Sequence, residues 1–339
     1  MSKAAELAKM GEVLTNSQIG SRRNIVTNGG MNVAQRSTSV TGLGAASGYF
    51  TVDRWQLTEG DASAGRLTMS QTSDGPNGVS ANCLKLDCTT ADTSIAAGEF
   101  LNIRQKIEGQ DLQSIGKGVT GAKEITVSFY VKASAAFNFI VELNDNDNSR
   151  QMSKLYATTT DWVRHELTFP ADVDDGSSPF GDDNAHSLNL AFWIHAGSTY
   201  TSGTLETSFA NTTNANRAAG ISSFFSSTDN NFFLTGVQME VGSVATPFEH
   251  RSYGEEFLNC ARYYFKNLAP VYTTEYGSNA IATVEFPVPM RNTPSLSVIT
   301  GNAPTSFAGN NAVPYASMYV YHESSGGDGI TNYQADSEL

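Results

Sequence analysis

The chain has 339 residues, enough for two or three domains and a sizeable buried core. Charged residues make up only 16% of it, and Ser, Thr, Asn and Gly crowd the stretches between apolar runs, a composition that points to an all-β protein with many turns and away from helical enzymes. A formal net charge of -13 repels phosphate backbones, and with Arg22 and Arg23 as the only adjacent basic pair no nucleic-acid partner is expected.

The first residues, MSKAAELAKMGEV, lack the apolar core and cleavage-like site of a signal peptide, and no run of eighteen apolar residues occurs anywhere. Neither a leader nor membrane insertion is expected. Within residues 2–14, Ser2 can cap a helix whose Leu7, Met10 and Leu14 share one face. A helix this short needs a partner surface: copies of itself, a neighbouring protein, or the domain that follows.

From Asn24 to about Ser252 strand follows strand. TVSFYVKAS (126–134) places Val127, Phe129 and Val131 on one face, and NFIVELN (138–144), WVRHELTF (162–169), LNLAFWIHA (188–196) and FFLTGVQMEV (232–241) have similar strand character. Breaker-rich connections separate them, so about eight to ten strands without intervening amphipathic helices predict a two-sheet sandwich. Cys83 and Cys88 fall on opposite faces of one strand, Cys260 makes the count odd, and no metal-ligand spacing occurs, so all three are expected as free thiols.

After Pro247 the period changes. Phe257, Leu258, Ala261, Tyr264 and Phe265 recur at helical spacing in SYGEEFLNCARYYFK, with Glu255 and Glu256 near the start and Pro270 beyond the end. This face is expected to bury itself against the sandwich or a neighbouring subunit. AIATVEFPV (280–288), PSLSVITG (294–301) and YASMYVYHE (315–323) are strand candidates of a small C-terminal unit whose core is too slight to stand without support.

The sequence carries no GxSxG, HExxH, Walker-type or Rossmann pattern, and the five histidines are scattered, so no catalytic activity is expected. His195 shares a face with Trp193 but reads as structural. Glu142, Asp161 and Glu240 are carboxylates that nothing pairs. DNDNS (145–149) and DVDDG (172–176) offer the oxygen ligands a calcium ion needs, although neither completes an EF-hand. For sugar binding, Trp55, Trp162 and Trp193 lie inside strand patterns and read as core. Tyr200, in the polar connection GSTYTSGT, and Tyr315, Tyr319 and Tyr321 are the aromatic candidates for a glycan platform. Tyr319 and Tyr321 share a face under period two, which suits a subunit seam equally.

FFLTGVQMEVGSVATPFEHRSYGEEFLNCARYYF (232–265) closely resembles a segment that closes a jelly-roll module in many bacteriophage tail-fibre and virion proteins. NIVTNGGMNVAQR (24–36), YFTVDRWQL (49–57) and TDWVRHELTFPAD (160–172) resemble the opening and middle strands of the same carbohydrate-binding-module-like domain. The resemblance implies a mainly β fold: a jelly-roll β-sandwich with a short N-terminal helix, a connecting helix and a small C-terminal β-unit. The expected domains are an attachment segment at 1–23, the jelly roll at 24–251, the connecting helix at 252–269 and a receptor-binding tip at 270–339. It further implies a homotrimeric virion protein, a tail or head fibre. Its N-terminal segment meets other virion proteins, and it adheres to host surface polysaccharide through weak multivalent contacts. Assembly in the bacterial host cytoplasm goes with this. No cofactor is required, and a structural calcium would have Asp53 and Glu240 as its nearest ligands. A capsid-decorating protein is the alternative, and a polysaccharide depolymerase ranks behind both because no solenoid repeat is visible.

Overall fold

The structure, a computed structural model, describes residues 3–5, 23–61, 63–173, 178–266, 271–276, 279–301, 306–309, 317–322 and 329–339, with the backbone alone for most of 271–332. The chain divides into two compact units, Met1–His250 and Arg251–Leu339, and the helix after Pro247 belongs to the second.

The first unit contains β1 (Ser39–Leu43), β2 (Gln56–Gly60), β3 (Arg66–Thr72), β4 (Cys83–Thr90), β5 (Phe100–Glu108), β6 (Ile125–Ala133), β7 (Asn138–Asp145), β8 (Arg150–Ala157), β9 (Val163–Phe169), β10 (His186–Ala196), β11 (Ala210–Asn211) and β12 (Asn231–Val241). They form two antiparallel sheets, ordered β1-β3-β4-β12-β6-β9 and β11-β8-β7-β10-β5-β2. The strands from β4 to β10, together with β12, switch sheets at every step except between β7 and β8. In chain order they lie first-eighth-third-sixth in one and second-seventh-fourth-fifth in the other. That is the winding of a jelly roll, in which all pairings among these eight but that of β7 with β8 join strands distant in sequence.

Alternation sets the core. In the first sheet Leu84, Leu86, Val127, Phe129, Val131, Phe232 and Leu234 face inward, and in the second Leu101, Ile103, Val141, Leu143, Leu190 and Phe192 meet them in one buried cluster. Within β4, Cys88 joins that cluster while Cys83 lies on the other face, and all three cysteines are free and buried.

Three of the segments that carry the resemblance meet around 24–33, Trp55 and β12. Asn24 donates from Nδ2 to the Val237 carbonyl (3.0 Å) and accepts from the Met239 amide (3.0 Å), so the opening segment lies along β12. The Gly29 backbone presses on the same strand: an added Cβ would stand 2.0 Å from the Val237 oxygen, which is why only glycine fits. Asn28, at φ 56°, accepts from the Asn32 and Val33 amides and donates to the Val33 and Asp53 carbonyls. Trp55 Nε1 donates to the Asn28 carbonyl (3.1 Å). These contacts satisfy backbone groups of a segment that is buried without being a strand.

In the second unit, α1 (Tyr253–Ala261) starts at a Ser252 side chain that accepts from the Glu255 amide (3.2 Å). Strands β13 (Tyr264–Lys266), β14 (Val271–Tyr276), β15 (Asn279–Glu285), β16 (Ser295–Gly301), β17 (Ser306–Gly309), β18 (Ser317–His322) and β19 (Gly329–Asp336) follow, in the order β13-β19-β14-β15-β18-β17 with β16 paired to β19. The helix is shorter than its sequence pattern, and Tyr264 and Phe265 lie in β13. Its buried residues are Glu256, Cys260 and Ala261, whereas Leu258, expected on the buried face, is 41% exposed. The stripe through Glu256 and Cys260 runs along one side, and 100° per residue carries Leu258 off it. The helix packs within its own unit, where the Phe257 ring meets Phe265 (6.4 Å), which in turn meets Phe286 and Tyr333.

Candidate functional site

The outward face of the second sheet is where polar and aromatic side chains collect. Register lines them up in rows across the strands. One row is Thr58, Asn102, Trp193, Ile140 and Leu155; the next is Gln56, Arg104, Ala191, Glu142 and Ser153; the third is Lys106, Asn189, Asn144 and Gln151. Only alternate residues of each strand appear, because the others fill the core.

Part of this face is roofed by the connection between β10 and β12. A single helical turn, Ser198–Thr201, sets the half-buried Tyr200 ring against Phe100 (5.1 Å) and Trp193 (5.4 Å). Arg217 from the same connection stacks on Trp193 (4.9 Å) and makes a two-pronged ion pair with Glu142 (2.7 and 2.8 Å), which also accepts from Trp193 Nε1 (2.9 Å). Burial pulls the Arg217 pKa down, but the Glu142 charge and hydrogen bonds outweigh it and the net direction is up. The roof is fastened at its far end by Ser223, whose Oγ lies 2.8 Å from His195 Nδ1, while His195 Nε2 lies 3.3 Å from Glu99. This Ser–His–Glu chain looks like a hydrolytic triad, yet the imidazole is fully buried against Phe225 and burial holds its pKa below the usual histidine range despite Glu99. It ties the loop before β5 to the loop after the roof.

Beyond the roof the face is polar. His186, Asn189 and Asn144 form a ladder of side chains at 2.9 and 3.3 Å, and burial together with Lys106 and Arg104 pushes the His186 pKa down to about 4. Arg104 is half-buried, and its Nε donates to Gln56 Oε1 (2.8 Å). Burial, then the Arg217 charge, holds its pKa below the usual arginine value against the opposing influence of Tyr49 and Glu142. Asn102 Oδ1 and Gln151 Oε1 are buried acceptors with no hydrogen-bond partner among the described residues.

Of the residues expected from sequence to contact sugar, Tyr200 is at this face, packed rather than protruding. Tyr319 and Tyr321 lie in β18, paired with Thr283 and Ile281 of β15, and their side chains are outside the description; Tyr315 is outside the described residues altogether. The tryptophans divide. Trp55 is core, Trp193 is buried on the outward face beneath the roof, and Trp162 is half-buried on the outer face of the first sheet beside Phe233, with Lys132 over both rings.

Asp53 and Glu240 are buried acceptors. Asp53 takes both the backbone amide and the side chain of Gln35, and Glu240 takes the backbone amide and hydroxyl of Thr246 and the side-chain Nε2 of Gln238. Among the described residues no group of three or more His, Cys, Asp or Glu is placed to hold a metal ion. In the acidic loops the described carboxylates have protein partners, and residues 174–177 lie outside the described residues. Asp145 and Asp172 meet Lys117 (2.7 and 3.6 Å), and Asp172 is clamped by Arg150 (2.6 and 2.7 Å), so two protein cations balance these two carboxylates. Asp145 also caps the Asp147 and Asn148 amides.

No protein-family model and no curated relative matches the chain. Among solved structures it is similar to the module TmCBM61 in complex with β-1,4-galactotriose (12% identity, 65% of this chain and 99% of that chain, TM-score 0.31). It is also similar to a family 30 carbohydrate-binding module (12%, 65% and 98%, 0.32). A third is a family 11 module from Clostridium thermocellum in complex with a β-1,3-1,4-mixed-linked tetrasaccharide (12%, 62% and 99%, 0.29). At such identities and TM-scores the jelly-roll assignment rests on the strand order itself.

Proposed function

We propose that the first unit is a glycan-binding module and that the outward face of its second sheet is the binding surface. The observation that carries this reading is that one face holds the half-buried Tyr200 ring together with half-exposed planar polar side chains from two neighbouring rows, Gln56 and Arg104 in one and Asn144 in the next. A sugar offers an apolar C–H face and a rim of hydroxyls, and such a surface matches both. Asn102 adds an acceptor in want of a donor at the floor, a deficit of about 1–3 kcal/mol that a bound hydroxyl would offset after a small side-chain turn.

The test is a glycan array with the purified chain, followed by titration of any hit. Tyr200→Ala and Gln56→Ala should each weaken binding by about tenfold, equivalent to roughly 1.4 kcal/mol. Phe233→Ala, on the opposite sheet, should leave it unchanged. Absence of any glycan hit, or a hit indifferent to Tyr200 and Gln56 but lost in Phe233→Ala, would overturn the assignment.

The finer reading is a fibre protein of a phage virion that adheres to host polysaccharide. It is supported by the sequence resemblance of residues 24–36, 49–57, 160–172 and 232–265. A labelled antibody imaged on the particle distinguishes tail placement from the capsid-decorating alternative.

A further inference from the structure

We propose that the outward face takes an acidic sugar, whose carboxylate lies against the Arg104 guanidinium. This rests on the glycan-binding reading above and names the class of glycan. Arg104 is the one arginine of the three rows, and its orientation is fixed because Nε is held by Gln56 Oε1 at 2.8 Å. No ion pair and no further side-chain hydrogen bond engages its two terminal amino groups among the described residues. A guanidinium held at Nε with both Nη groups free presents the fork that matches a carboxylate in two parallel hydrogen bonds.

The neighbouring charges do not substitute for a ligand. Glu142, the carboxylate in Arg104's own row, is committed to Arg217 and Trp193. Glu108, next to His186 across the strands, is buried and accepts from Gln110, while Asp147, near His186, accepts from the Gly181 amide. Lys106 follows Arg104 on the same side of β5. The depressed basicity of Arg104 agrees with this: burial and Arg217 disfavour its charge more than Glu142 and Tyr49 favour it, so the protein leaves that charge incompletely compensated. With a molecule of net charge -13 around it, attraction of an anion must come from this local arrangement and not from the overall field.

The experiment titrates the full chain with polygalacturonate, hyaluronan and polysialic acid, each beside its carboxyl-reduced neutral counterpart. The expected result is that at least one acidic polymer binds about tenfold or more tightly than its reduced form, the scale of a charge-assisted hydrogen-bonded pair. Arg104→Gln should bring the two forms to parity with an unchanged melting temperature, and Arg104→Lys should keep part of the preference. Equal binding of acidic and reduced polymers, or a preference that survives Arg104→Gln, overturns the proposal and leaves the glycan-binding face standing. Binding of neutral array glycans alone does the same, whereas no glycan binding of any kind overturns both.

Discussion

Lys117 illustrates how a single residue alters the charge balance of a loop. Its ammonium group is 2.7 Å from Asp145 and 3.6 Å from Asp172, donates to the Ser178 carbonyl, and lies over the Phe180 ring, with 3% of its side chain exposed. A buried carboxylate needs a cation, and here a lysine and an arginine supply what a metal ion supplies elsewhere. Lys117→Met is therefore expected to destabilise the first unit by about 3–5 kcal/mol, because Asp145 would be left charged and buried. Denaturant melts with and without millimolar calcium check this: the loss should appear in both, and a wild-type midpoint raised by calcium would return the ion to these loops. The sequence displayed Asp145 and Asp172 plainly but not their partner, since Lys117 and Arg150 join them only through the fold. Glu142 is a similar case, one carboxylate among several until Arg217, far along the chain, reaches it.

At the scale of elements, periodicity was a good guide wherever one face of a segment meets the core. The alternation in 126–134 and 188–196 became β6 and β10, with Val127, Phe129, Leu190 and Phe192 inward as period two requires. It was a poor guide to Trp193, whose burial comes from a roof contributed by a loop with no periodicity of its own. The rows of the candidate site were equally illegible, because cross-strand register depends on connection lengths and bulges rather than on composition. The helix shows how a pattern can name the element and most of its face yet misplace one residue. Leu258 fits an apolar spacing but is 41% exposed, while Ala261 is fully buried. Leu258→Asp should change stability by no more than about 0.5 kcal/mol. Ala261→Asp, which places a charge in the interior, should cost several kcal/mol. Thermal melts of the two variants decide the orientation; the opposite ranking would turn the helix over.

The whole molecule pairs a sandwich with a shorter second unit. Among the described residues the buried cluster of Arg251–Leu339 is Phe286, Met290, Tyr333 and Ala335, with Phe265 and Leu296 packed on it; a unit of this length gains only modest stability from burial by itself. Association of copies is the ordinary remedy, and a three-fold arrangement is what the resemblance to fibre proteins implies. It also suits the proposed binding face, which is a shallow surface of a sheet and should hold one sugar segment only weakly. Three such faces on one particle raise the apparent affinity for a repetitive polysaccharide by about 10² to 10⁴ without a new contact. Mass photometry of the purified chain should therefore give three times the 36.3 kDa chain mass at submicromolar concentration. Binding to immobilised polysaccharide should exceed binding of its soluble oligosaccharide by a factor in that range. A stable monomer would remove both the trimer and the avidity, and it would leave the sugar to be held by the strength of the Arg104 and Tyr200 contacts alone.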